Sequence, residues 1–71
     1  MSKFQIGQRL KLNQYYVLEG KRIFGETWNP KQLNAIVTNI IDDGKHEILY
    51  QFGTDKEGNI ISYAETFLEL V

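Results

Sequence analysis

Five of the six residues from Ile36 to Ile41 are β-branched, and Asp42-Asp43-Gly44 follows them directly. Side chains branched at Cβ lose rotamer freedom in a helix and pack well on a pleated surface, so this run favours a strand. Beyond the glycine, His46, Ile48, Tyr50 and Phe52 alternate with Glu47, Leu49 and Gln51. Ala35–Phe52 therefore reads as two strands joined by a tight turn, with Asp-Gly supplying a position that tolerates positive φ. One competing reading uses the same residues. Asn29 as N-cap, Pro30 as first helical residue and Leu33, Ile36, Val37, Ile40 and Ile41 at helical spacing, ended by Gly44, describe an amphipathic helix at about 30–42 and an α+β fold. The β-branched run and the ease of turning at Asp43-Gly44 favour the strand.

With 71 residues the chain forms a single small domain over 1–71, near the lower size at which one core stabilises a fold unaided. It has no cysteine and a single histidine, which excludes disulfides and thiolate metal sites and leaves no metal or cofactor expected. Cytoplasmic location is the natural expectation for such a chain. Four Phe, four Tyr and one Trp offer large buried areas per residue, enough for a folded monomer, with a homodimer equally compatible. Eight basic against nine acidic residues argue against strong sequence-independent binding to nucleic acid, which depends on many phosphate-neutralising side chains. No apolar run approaches the roughly 18 residues of a membrane span, and no apolar leader segment precedes Phe4, so no membrane association is expected.

Taken in order, Phe4 and Ile6, then Leu10 and Leu12, alternate on either side of Gly7. This predicts a turn or bulge at Gly7 and a strand from about Arg9 that points Leu10 and Leu12 inward. From Asn13 to Asn34 the pattern loosens, and the stretch reads as a long folded-over loop, or a distorted hairpin with its tip near Glu19-Gly20-Lys21. Gly53–Asn59 is a polar connection to a short strand at Ile60–Tyr63, making a second hairpin. Ser62-Tyr63-Ala64-Glu65 has the form of a capping box, which predicts one helical turn through Ala64–Phe67 before a short last strand at Leu68–Val71.

This order of elements resembles an SH3-like small β-barrel of about five strands, of the Tudor and KOW type. The resemblance rests on Phe4-x-Ile6-Gly7-x-x-Leu10, Leu33-x-Ala35-x-Val37-x-x-Ile40, Ile48-x-Tyr50-x-Phe52 and Tyr63-Ala64-Glu65-Thr66-Phe67-Leu68. It implies a mostly β fold with a long loop after strand 1 and one helical turn near the C-terminal end. Tudor-type domains show a similar core strand, with Leu33 here in place of an aromatic residue. Peptide-binding SH3 domains carry an Ala-Leu-Tyr-Asp-Tyr-like run, a double Trp and a Pro before the helical turn. This chain has Tyr15-Tyr16, the solitary Trp28, and Ala64 near the place of that Pro. KOW-type members carry a Gly shortly before the core Val, where Asn34 and Ala35 stand here.

No nucleophile elbow, phosphate loop or metal signature is present, and the expectation is that the chain is not an enzyme and has no catalytic residue. His46, just after the turn, reads as a solvated surface residue, and the Asp42-Asp43-Gly44 and Asp55–Asn59 oxygens read as turn chemistry. Glu65 and Glu69 are expected to cap and solvate. The binding candidates are Tyr15, Tyr16, Lys21, Arg22 and Trp28, where aromatic faces interleave with basic groups and suit a protein interface or base stacking. Phe24 and Trp28 are expected chiefly to fold the loop back and close one end of the core. Adjacent residues of an extended chain face opposite sides, so one of the two tyrosines should point outward. The leading expectation is a non-catalytic binding module, an adaptor, inhibitor or accessory subunit engaging a protein partner through this face. The alternatives are a nucleic-acid-binding small barrel, favoured by the crowding of Lys3, Arg9, Lys11, Lys21 and Arg22 into the first third of the chain, and a structural subunit of an oligomer.

Overall fold

A computed structural model describes residues 2–71. The described residues are mostly β, with six strands in two three-stranded antiparallel sheets, one α-helix and one 3-10 turn near the C-terminal end. Strand β1 (Arg9–Leu12) lies between β2 (Asn34–Ile36) and β6 (Leu68–Leu70). In the second sheet β4 (Leu49–Thr54) lies between β3 (Asn39–Ile41) and β5 (Ile60–Ala64). Helix α1 (Gln14–Phe24) follows β1, and the 3-10 turn η1 (Glu65–Phe67) connects β5 to β6.

The β-branched stretch is a strand, as the sequence favours, and the alternative helix at 30–42 does not form. It counts as two strands, six in all instead of about five, because its partner changes midway. Val37 exchanges backbone hydrogen bonds with the segment before β1, donating to the Gln8 carbonyl and accepting from Gly7 N–H at 2.9 Å each. One residue later, Thr38 N–H donates to the Gln51 carbonyl at 2.8 Å, so the same extended chain joins the second sheet. Such a switch wraps two sheets around one core in a barrel-like arrangement. Gly7 makes the expected turn with φ 95°, and Leu10 is fully buried.

Phe4, Leu10, Val37, Tyr50, Phe52 and Leu68 form the core, with Leu12, Leu33, Ala35, Ile40, Ile48, Ile61 and Tyr63 packed around it. At its centre Tyr50 is completely buried, and its ring meets Phe4 edge-on with centroids 5.4 Å apart. A buried hydroxyl needs at least one hydrogen-bond partner, and this one has two. Here Tyr50 donates to Glu65 Oε2 at 2.5 Å and accepts from Phe4 N–H at 3.1 Å. The same carboxylate oxygen accepts from Lys3 N–H at 2.9 Å. Burial, and after it the Glu65 carboxylate, pushes the Tyr50 phenol above its ordinary range.

Four expectations are corrected. Asn13–Asn34 is not a loop or hairpin with a tip near Gly20: its first half is helix α1, capped by Asn13, whose Oδ1 accepts from Tyr16 N–H at 3.1 Å. The central hairpin has no tight turn. β3 and β4 are joined across residues 42–48, because Asp43 Oδ1 takes the Lys45 and His46 N–H groups at 2.9 and 2.8 Å and Asp42 takes that of Gly44 at 3.0 Å. Local side-chain acceptors here outcompete the ladder. The capping box does not form, since Ser62 lies within β5 and η1 starts after Ala64 with no side-chain cap. Glu65 does not cap or merely solvate; it binds Tyr50 and the Lys3 backbone.

Replacing Tyr50 with Phe keeps the ring and strands the Phe4 N–H and one bond of Glu65. We expect a loss of about 1–3 kcal/mol in urea unfolding with the fold retained, the range for an unsatisfied buried polar group.

Candidate functional site

The most distinctive surface is built by α1 and the turn behind it. Asn13 fixes the helix start in three ways. Besides capping Tyr16, it donates its side-chain amide to the Thr66 carbonyl at 2.9 Å and its backbone N–H to the Phe67 carbonyl at 2.8 Å. The first turn of α1 is thus tied to η1, and Tyr15 stacks on Phe67 with centroids 5.7 Å apart and planes 18° apart. Tyr16 meets three rings: Phe67 at 5.3 Å, Trp28 at 5.6 Å and Tyr63 at 5.7 Å. Burial raises the Tyr63 phenol above its ordinary range, with Tyr16 adding to the effect.

The helix ends at Gly25, whose φ of 109° turns the chain, while its N–H closes on the Lys21 carbonyl at 2.9 Å. Trp28 N–H then donates to the Gly25 carbonyl at 3.1 Å, which brings the indole back over the helix. It lies on Gly20, the one buried residue of α1. A Cβ at position 20 would fall inside the Trp28 ring, so the mid-helix glycine serves a close approach. Phe24 stands beside Trp28 with centroids 5.6 Å apart.

These residues enclose a cleft of about 110 Å³, lined by Tyr16, Gly20, Ile23, Phe24, Trp28 and Phe67, with Glu19 its one charged wall. At its rim Ile23 and Phe24 are 61% and 67% exposed, while Leu18, also exposed, stands on the opposite side of the helix.

Of the sequence-chosen residues, the structure brings Tyr16 and Trp28 together in the cleft and sets Tyr15 beside it, half exposed on Phe67. The argument from opposite faces of an extended chain does not apply, because both tyrosines are helical. Lys21 is half-buried, and Arg22 is exposed and ion-paired with Glu19 at 2.6 Å. Glu19 raises the Arg22 pKa and neutralises much of the local positive charge. Phe24 does not close the core; it is the most exposed large apolar residue of the helix. Sequence reasoning missed Ile23 and Phe67. An Asn13 cap followed by Tyr16, Gly20 and Ile23 at helical spacing was the signal that could have found the first.

Elsewhere the polar features are local. A depression of about 420 Å³ beside Lys31 and the β4–β5 connection is walled by Thr54, Asp55, Lys56 and Glu57, with both signs of charge. Asp55 Oδ1 accepts from Glu57 and Asn59 N–H at 2.9 Å each, which lowers its pKa and organises the turn. His46, largely exposed, lies 2.7 Å from Asp43 Oδ2. Among the described residues no group of three or more His, Asp or Glu side chains could hold a metal ion. No helix is long and apolar enough to cross a membrane. Set against known protein families, curated proteins and solved structures, the chain matches none.

Two measurements test this geometry. Gly20→Ala should gain helix propensity yet lose about 1–3 kcal/mol through overpacking against Trp28; a shifted Trp28 fluorescence maximum together with reduced stability is the expected pair of readouts. Asp43 should titrate near pH 2, held down first by the His46 side chain and then by backbone N–H groups. Because its folded pKa lies below the unfolded value of about 3.9, this interaction is fully present above that value and is lost as pH falls toward 2. NMR of the Asp43 carboxyl should show that midpoint, and His46→Ala should move it up with the fold intact.

Proposed function

We propose that this chain is a non-catalytic binding module that engages a protein partner through the α1–Trp28 face, built on an SH3-like small barrel. The barrel reading is supported by two successive hairpins in β3-β4-β5, a strand shared between the sheets as β2 and β3, and a 3-10 turn before a last strand that returns to β1. Helix α1 then occupies the place of the long loop after the first strand. Such a superfold hosts many functions, so the function is argued from the site.

The observation that carries the reading is the aromatic cleft with the exposed Ile23 and Phe24 at its rim. Its volume of about 110 Å³ is below that of the roughly 150 Å³ cavities that take benzene, and suits one aliphatic side chain. Its rings touch one another at 5.3–5.6 Å and form a wall, not an open box for a cation. A partner segment inserting one aliphatic anchor, with its flank laid along Ile23 and Phe24, fits this surface.

Nucleic-acid binding draws less support. Arg22 is paired with Glu19, Lys11 lies 3.7 Å from Glu69, and Arg9 donates to Asn34 Oδ1 at 3.0 Å, so three of the five clustered basic residues already have partners. The cysteine-free composition accords with work in the cytoplasm.

Panning a random-peptide display library on the immobilised protein tests the proposal. The expected binders share one aliphatic anchor, change Trp28 fluorescence and lose at least tenfold in affinity, about 1.4 kcal/mol, against the doubly substituted Ile23→Ser, Phe24→Ser variant. Binders that retain full affinity for that variant would place the interface elsewhere. Oligonucleotide binding that weakens with salt would put nucleic acid first.

A further inference from the structure

The second sheet ends at β5, and among the described residues Ile60–Ala64 makes no backbone hydrogen bond beyond its ladder with β4. A free edge is a template for another strand, and proteins ordinarily block it with charge, proline or a cover. Asn59–Ala64 has neither charge nor proline, and it is rich in β-formers. Directly beyond it the outer face carries an apolar row. Ile41, Leu49 and Ala64 lie opposite one another across β3, β4 and β5, with Ile41 and Leu49 exposed and Ala64 half-buried at the row's end. Ile60, on the same face of β5, is 61% exposed.

We propose that a second copy of this chain adds to the β5 edge, antiparallel and centred on Ser62, joining two three-stranded sheets into one of six strands. In this register Ser62 faces its own counterpart, and Ile60 of each copy faces Ala64 of the other. The large exposed side chain meets the small one, and the apolar row runs from Ile41 through Leu49 and Ala64 to the second copy's Ile60. A two-fold interface requires a self-complementary patch. β5 meets that condition, since an uncharged segment paired with itself sets no like charges opposite one another. Tyr63 of β5 touches Tyr16 in the cleft wall at 5.7 Å, but Ile60 and Ser62, on the other face of β5, are not cleft residues, so either assignment can fail without the other.

The test uses the absence of native cysteine. Opposite residues of an antiparallel pair have Cβ atoms about 4.5–5.5 Å apart, close to disulfide reach, so Ser62→Cys should cross-link to a covalent dimer under mild oxidation. Ile60→Cys, also at an exposed position but facing Ala64, should cross-link far more slowly. Sedimentation of the unmodified protein should show a concentration-dependent dimer, and Ile60→Lys, which places a charge on the outer face without touching the core, should weaken it at least tenfold. A wild-type monomer at all concentrations up to about 1 mM, or cross-linking of Ser62→Cys no faster than that of Ile60→Cys, overturns the proposal. A wild-type dimer unaffected by Ile60→Lys overturns it too, and moves the contact to another face.

Discussion

Tyr50 carries a hydroxyl into the centre of a 71-residue core, and much of the rest is arranged so that this group is never without a partner. The hydroxyl links three segments far apart in sequence: β4, which holds the ring, the Lys3–Phe4 backbone and Glu65 at the head of η1. An apolar ring alone would tolerate several packings of a small barrel. A donor and an acceptor that both have to be met inside the protein select among them, because each unmet bond costs about 1–3 kcal/mol. Phe4, 3% exposed and edge-on to the ring, seals the site from the other side.

The link reaches the candidate binding surface through η1. Glu65 is held by Tyr50 and Lys3, Thr66 N–H donates to Glu47 Oε1 at 2.9 Å, and Phe67 accepts from Asn13 and packs on Tyr15 and Tyr16. Three consecutive residues thus join the core, the β3–β4 connection and helix α1. The cleft is therefore seated on the core and not on a free loop, which suits a preorganised binding surface.

Within α1 the glycine decides the shape. Gly20 weakens the helix by the usual entropy cost of about 0.5–1 kcal/mol relative to alanine, and in return admits Trp28 to the helix surface. With Trp28 seated there, Tyr16 and Phe24 flank the indole and leave Ile23 at the rim without cover. The exposed apolar face follows from a short helix that buries one side against η1 and Trp28 and has no second layer to bury the other.

The sequence by itself determined the β framework. The β-branched run from Ile36, the inward Leu10, the Tyr50 and Phe52 alternation and the turn at Gly7 all follow from local preference and period, and each stands where the chain alone puts it. It also marked Tyr15, Tyr16, Lys21, Arg22 and Trp28 as the residues to watch, while leaving their relation undefined. What only the tertiary structure decided was the conformation of the stretch that holds them. Asn13–Asn34 reads as a folded-over loop or a distorted hairpin with its tip near Gly20, and that reading yields to Asn13 capping the first turn and to Trp28 folding over the glycine. The central connection went the same way, since Asp42 and Asp43 bind nearby N–H groups where a tight turn was expected. In each case contacts made with neighbours in space, or by side chains with the nearby backbone, outweighed the weak intrinsic preference of a short segment.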